Sequence, residues 1–202
     1  MTKEEALEKI KELEVYIQAE DSKIDIEMVL VDLGEKPFYM SKYLVTQELY
    51  EKVTKERPSR FVGNPLLPVE NVSYNDIVTK FLHKLNKLTG KNYRLPTEYE
   101  WLLAALPIPQ DIGDYAVINT IKTMPVGSKL PNELGIYDLF GNVWEWTNTL
   151  YKKESLFRVL RGDSWGGSAA YCRSAHRSGS YADDRSDNLG FRLVFNEDTD
   201  LN

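Results

Sequence analysis

Cys172 and His176 lie four residues apart in CRSAHR and form the one pairing that could build an activated nucleophile. A thiol turns reactive when a neighbouring base or cation lowers its pKa. Weighed against this, a lone cysteine is more often a small, inert, apolar side chain, and that reading is preferred here. With one cysteine the chain has no internal disulfide and no cysteine-rich zinc site. His83, in FLHKLNKL, is the only other histidine. Arg94, Arg161 and Arg192 sit in apolar company, which predicts that they bridge loop carbonyls or carboxylates such as Glu98 and Glu145. Trp101, Trp144, Trp146 and Trp165 each combine a large apolar ring with one N–H, and read as pins for irregular loops.

The more informative segment is 166–188, GGSAAYCRSAHRSGSYADDRSDN, which has no Lys, Glu or Gln. Small polar residues with two tyrosines and a histidine make a paratope-like mixture, with Tyr for contact area and Ser, Gly and Asn for adaptable hydrogen bonds. Gly, Ser, Ala, Tyr, His, Asp and Asn can also all be reached from an AAC or AAT codon by changing adenines alone, whereas Lys, Glu and Gln cannot. The plainer alternative is an ordinary polar surface loop.

These groups must be held by elements legible from periodicity and caps. Thr2 with Glu5 reads as a capping box opening a helix that ends near Asp21, with Ala6, Leu7, Ile10, Leu13 and Ile17 at helical spacing. Residues 26–34 and 38–45 read as strands. Thr46 caps a helix over 47–54, with Leu49 and Val53 facing inward. Residues 57–69, with three prolines, form a loop. Ser73 caps a helix that runs to Gly90, and Thr97 with Glu100 caps another over 94–106. Residues 107–131 are irregular, and from Gly135 onward short strands alternate with long loops. The class is α+β, with a helical segment over 1–25 and one domain over 26–202.

With 202 residues, 28% charged and 42% hydrophobic, the chain can bury a core without staples. A net charge of −6 argues against nucleic acid as a partner. There is no apolar run of membrane-spanning length and no signal-peptide core, so no membrane insertion is expected; the chain is also expected to be a monomer. Cytoplasm, virion, or a surface reached through another factor all fit.

Several blocks, in order, resemble the formylglycine-generating (sulfatase-modifying) family: LVTQELYEKV, LPVENVSYND, YRLPTEYEW, GIYDLFGNVWEWT, RVLRGDSW, CRSAHR and LGFRLV, over roughly residues 26–195. The resemblance implies a C-type-lectin-like fold. Active members bind copper through two cysteines, and the matching positions here are Ala169 and Ser174, with Cys172 out of register. Copper(I) favours thiolates, so the resemblance implies a non-enzymatic member. Relatives with a histidine-bound iron need more histidines than this chain has. An active formylglycine-generating-type oxidoreductase is the alternative.

The segment 166–188 resembles the variable proteins of diversity-generating retroelements, in which a fixed frame alternates with diversified positions. The frame maps to Trp165, Ala169, Cys172, Arg173, Ser174, Ala175, Arg177, Asp183, Arg185, Gly190 and Phe191, and is expected to point inward. The diversified, ligand-binding candidates are Gly166, Gly167, Ser168, Ala170, Tyr171, His176, Ser178, Gly179, Ser180, Tyr181, Asp184, Ser186, Asp187 and Asn188, and are expected to point outward. Tyr171, Tyr181 and His176 are the expected anchors. Two departures are Asp163, at the second glycine of an RGGSW-like motif, and Ala182, at a frequent proline. The implied partner is a protein or cell-surface ligand. No cofactor is required, but calcium-binding relatives place oxygen ligands at positions matching Asp138, the carbonyls of Gly141 and Val143, and Glu145. The competing reading has Asp138 in a turn and Glu145 paired with an arginine.

Overall fold

The computed structural model describes residues 24–33, 36–170 and 176–196. The opening helix therefore lies outside the described residues, as do Tyr171, Cys172, Arg173, Ser174 and Ala175.

The two early strands form as expected but shorter: β1 is Met28–Val31 and β2 is Phe38–Ser41, paired antiparallel. Helix α1, Gln47–Thr54, starts at Thr46, whose hydroxyl accepts from Leu49 N, and ends at Lys55 in the left-handed region. Helix α2 joins Tyr74–Asp76, a π-helical stretch Ile77–Leu82, and His83–Thr89. Ser73 caps it within a box closed by Asp76, and Gly90, at φ +68°, stops it. The wider π turn shifts the helical face so that Ile77, Phe81 and Leu85 are all fully buried on one side. Helix α3, Glu98–Ala105, has the expected Thr97/Glu100 box.

A short parallel pair follows, β3 (Ala116–Val117) with β4 (Phe140–Gly141). Gly141 is obligatory there, since a Cβ on it would lie 2.1 Å from the Val117 carbonyl oxygen. The remaining strands are β5 (Trp144–Leu150), β6 (Phe157–Arg161), β7 (Arg177–Tyr181), β8 (Leu189–Gly190) and β9 (Val194–Phe195). They make a four-stranded sheet, β7-β6-β5-β8, while β9 joins the first pair as β1-β2-β9. The architecture is α+β, and no helix among the described residues is long and apolar enough to cross a membrane.

Two cores hold these sheets. In the first, Phe191 packs edge-on to Phe81 and Tyr50, and Trp146 donates its N–H to the Val72 carbonyl at 3.0 Å. In the second, Trp101 and the alanines of α3 pack on Phe38, Met40, Ile136 and Phe140. The segment 166–188 leaves β6 and returns to β8, so both of its ends are fixed to one sheet.

Candidate functional site

The chain leaves β6 at Arg161, whose buried guanidinium lies over the Trp101 ring and donates to the His176 carbonyl. Glu98 lies 2.9 Å from Arg177 Nε and 3.9 Å from Arg161 Nε, so two cations share one carboxylate. Burial pulls the Arg161 guanidinium below its ordinary value, and Glu98 opposes this. Of the expected arginine partners, Glu98 and Glu145 are found, whereas Arg94 pairs with Glu100 at 2.6 Å.

Trp165 anchors the start of the segment. Its amide donates to Asn142 O, its carbonyl accepts from Thr120 N, and its indole N–H reaches Asp187 O at 3.2 Å. The Phe61 ring meets it edge-on at 5.6 Å, and Arg60 beside it pairs with Asp187. Neither the 57–65 loop nor the 119–120 loop carries a sequence signal for this role, because the contacts join residues far apart in the chain.

Every described diversified candidate is at least partly exposed, and Tyr181, Gly166 and Ala170 are exposed outright. What holds these positions is chiefly main chain. The carbonyls of Gly167, Ala182, Ser186 and Asn188 accept from Asn119, Asn75, Asn71 and Trp144 amides, and Ser178–Ser180 lie in the β6–β7 ladder. Such bonds do not depend on side-chain identity. Asp184 differs, because its carboxylate accepts from Ser180 Oγ and Tyr181 N and so shapes its own turn.

Gly167 is more constrained than the other candidates. A Cβ there would fall 2.1 Å from an oxygen of Asp163, which is buried with φ +65°. While Asp163 stays, position 167 cannot vary freely. The inward frame holds for buried Gly190 and Phe191 and in part for Trp165 and Arg177. It fails at Ala169, Asp183 and Arg185, which are exposed. Asp183 and Arg185 act as surface clasps to α2 instead: Asp183 accepts from Asn75 at 2.6 Å, and Arg185 donates to Asp76 at 2.7 Å. His176 is partly exposed with its ring 5.4 Å from Trp144.

Beneath the 57–65 loop, Glu70 is fully buried, accepts from Phe61 N at 2.9 Å, and has no partner for its second oxygen. Burial pushes its carboxyl from 4.5 up to about 7. The folded state thus holds this proton more tightly than the unfolded chain. The stability Glu70 contributes is complete below its unfolded pKa and is lost as pH rises through about 7. We expect Glu70→Gln to flatten the decline in unfolding free energy between pH 5 and 8 by on the order of 2 kcal/mol, read from urea titrations. An unchanged slope would assign the decline elsewhere.

The calcium positions resolve towards the competing arrangement. Glu145 is fully buried, and Arg192 donates to both its oxygens, at 2.6 and 2.9 Å. Asp138 accepts from Gly127 N at 2.8 Å and sits opposite Asn142. Burial pushes both carboxyls up, and the Arg192 guanidinium opposes it. A calcium shell needs its carboxylate free, and here a guanidinium supplies the cation, so the four positions do not fit the metal as arranged. Adding calcium or chelator is expected to leave the melting temperature unchanged by scanning calorimetry; a calcium-dependent rise would mean that Arg192 yields Glu145 to the ion.

The sulfatase-modifying factor enzyme 1-like domain model matches residues 20–116 and 110–197. The chain is 37% identical over 157 residues to the inactive C-alpha-formylglycine-generating enzyme 2 of Mus musculus, covering 63% of this chain and 49% of that protein. It is 33% identical over 188 residues to the formylglycine-generating enzyme of Streptomyces coelicolor, covering 71% of this chain and 56% of that one. The chain thus spans about half the length of these curated relatives. Among solved structures, the Treponema denticola variable protein 1 superposes with a TM-score of 0.74 at 25% identity, over 85% of this chain and 93% of that chain. The fold is C-type-lectin-like, as in these relatives. With a family model matching nearly all the described residues, this chain belongs to the sulfatase-modifying factor enzyme 1-like domain family.

Proposed function

We propose that the chain is a non-catalytic binding protein that presents residues 166–188 as a diversified face to a protein or cell-surface ligand. The observation that carries this is the anchoring of the face through main-chain carbonyls, with side chains left at least partly exposed. Substitution on an open surface usually changes stability by less than about 0.5 kcal/mol, so such a face can vary while the fold persists. Similarity to a variable protein and to a relative named inactive supports the same reading. Tyr181, together with Tyr171 and His176, supplies the anchors, since aromatic residues concentrate binding energy.

Catalysis by the formylglycine-generating route is the second reading, favoured by similarity to a relative named for that activity. Ala169 is exposed and carries no thiol, which supports the non-catalytic reading.

Two measurements test the proposal. A display library randomised at Ser178, Ser180, Tyr181, Ser186 and Asn188 is expected to stay protease-resistant, whereas one randomised at Trp165, Arg177, Gly190 and Phe191 is expected to lose resistance. Equal loss in both would remove the diversified face. A CxPxR peptide incubated with the protein, copper and oxygen is expected to keep its thiol by mass spectrometry; turnover would establish the enzymatic reading.

A further inference from the structure

Beside β7 lies a cleft of about 510 Å³ between that strand and the turn joining β5 to β6. Tyr151 and Phe157 supply aromatic walls, and Lys152, Ser155, Arg177 and Ser178 supply polar groups. Phe157 stacks in turn on Tyr181, ring centroids 4.2 Å apart, so the cleft adjoins an expected anchor of the face. None of the lining residues on the turn belongs to the diversified candidates.

Charge at the cleft runs against the charge of the whole chain. At the cleft itself Arg177 is the guanidinium, and it shares the Glu98 carboxylate with the buried Arg161. The turn adds Lys152 to the lining, with Lys153 and Glu154 beside it in sequence. No described acid pairs with the Lys152 ammonium, and the Ser178 hydroxyl has no described partner. A protein of net charge −6 therefore offers a local cationic pocket with an aromatic wall.

Position 179 controls that wall. The Arg177 guanidinium lies 4.5 Å over the Tyr151 ring and its Nη2 donates to the Tyr151 carbonyl, which holds the tyrosine against β7. A Cβ added to Gly179 would come 2.7 Å from Cδ2 of that ring and 3.4 Å from the Arg158 carbonyl oxygen. The carbonyl belongs to the ladder and stays. The ring must rotate away for any other residue to fit. A change at a diversified candidate thereby moves an aromatic side chain that is not one.

We propose that this cleft is a subsite for an anionic group borne next to a flat apolar surface, such as an aromatic carboxylate, and that residue 179 sets its width by positioning Tyr151. This deepens the binding reading above and rests on it for biological meaning, but its physical content is measurable without the natural ligand. Benzoate is the probe, with benzamide as its neutral counterpart, titrated into the isotope-labelled protein and followed by amide chemical shifts. Benzoate is expected to shift residues 151–157 and 177–179, and benzamide to shift them far less. Lys152→Ala, on an exposed side chain, is expected to weaken benzoate about threefold, and added salt should do the same. Gly179→Ala is expected to move the Tyr151 ring resonances and change benzoate affinity at least about threefold, with the affinity change absent on a Tyr151→Ala background. Shifts outside the cleft, equal response to benzamide, or an unmoved Tyr151 ring in Gly179→Ala would each overturn the proposal. The library experiment above can fail or succeed independently of all three.

Discussion

Replacing Arg192 with Met is expected to lower the unfolding free energy by about 3–5 kcal/mol, because it strands the Glu145 carboxylate inside the protein. Both residues are fully buried, and the guanidinium binds both carboxylate oxygens. It also donates to the carbonyls of Ser41 and Tyr137, at 3.2 and 2.9 Å, so one side chain ties the end of β2, the 137 loop and β5 together. For a domain whose total stability is typically about 5–15 kcal/mol, that loss is a large share. The double variant Arg192→Met/Glu145→Met separates causes. If the single variant's loss comes from the orphaned charge, the double variant recovers much of it, since well-packed apolar pairs often match buried ion pairs. Urea unfolding of the three proteins decides the matter; a single-variant cost below about 1 kcal/mol would mean that the pair contributes no more than a surface bridge.

The second large effect is a contrast within one stretch of chain. Phe191→Ala is expected to cost about 3–5 kcal/mol, because the ring is fully buried against Phe81 and Tyr50 and its removal leaves a cavity. Tyr181→Ala, ten positions earlier, is expected to cost at most about 1 kcal/mol, since Tyr181 is 50% exposed and loses mainly its stacking on Phe157. Ligand capture should respond in the opposite order: on the proposed function, removing Tyr181 together with Tyr171 abolishes capture by a still-folded protein. Thermal melts of both variants check the stability half. Comparable losses of stability would mean that Tyr181 is part of the core.

Much of this was legible in local sequence, for physical reasons. The caps at Thr46, Ser73 and Thr97 are short-range contracts between a hydroxyl and an amide two or three positions on, so sequence spacing suffices to find them. The pairing of Glu145 with an arginine was one of two arrangements consistent with the motif, and only geometry separates a guanidinium from a metal there. Composition pointed to 166–188 but could not distinguish one glycine from another. Gly167 is constrained because Asp163 adopts a left-handed backbone and its carboxylate lies where a Cβ would go, which no pattern in the segment encodes. The role of Arg60 and Phe61 was equally hidden, since their partners Asp187 and Trp165 lie more than a hundred residues downstream. The π stretch in α2 likewise depends on what the helix packs against, and its caps say nothing of it.

The order of elements along the chain has a consequence for synthesis. Phe191, Arg192 and β9 come after the exposed segment, yet they supply a core ring, the cation for Glu145 and the third strand of the β1-β2-β9 sheet. A frameshift or premature stop anywhere in 166–188 deletes all three at once. The product would carry a naked buried carboxylate and an unclosed sheet, and it would fail to fold and be open to proteolysis. Missense change at the exposed candidates, such as Ser178, Tyr181 and Ser186, passes this checkpoint and truncation does not. The C-terminal closure thus acts as an in-frame filter, letting the ribosome's output report on the reading frame of the stretch just before it.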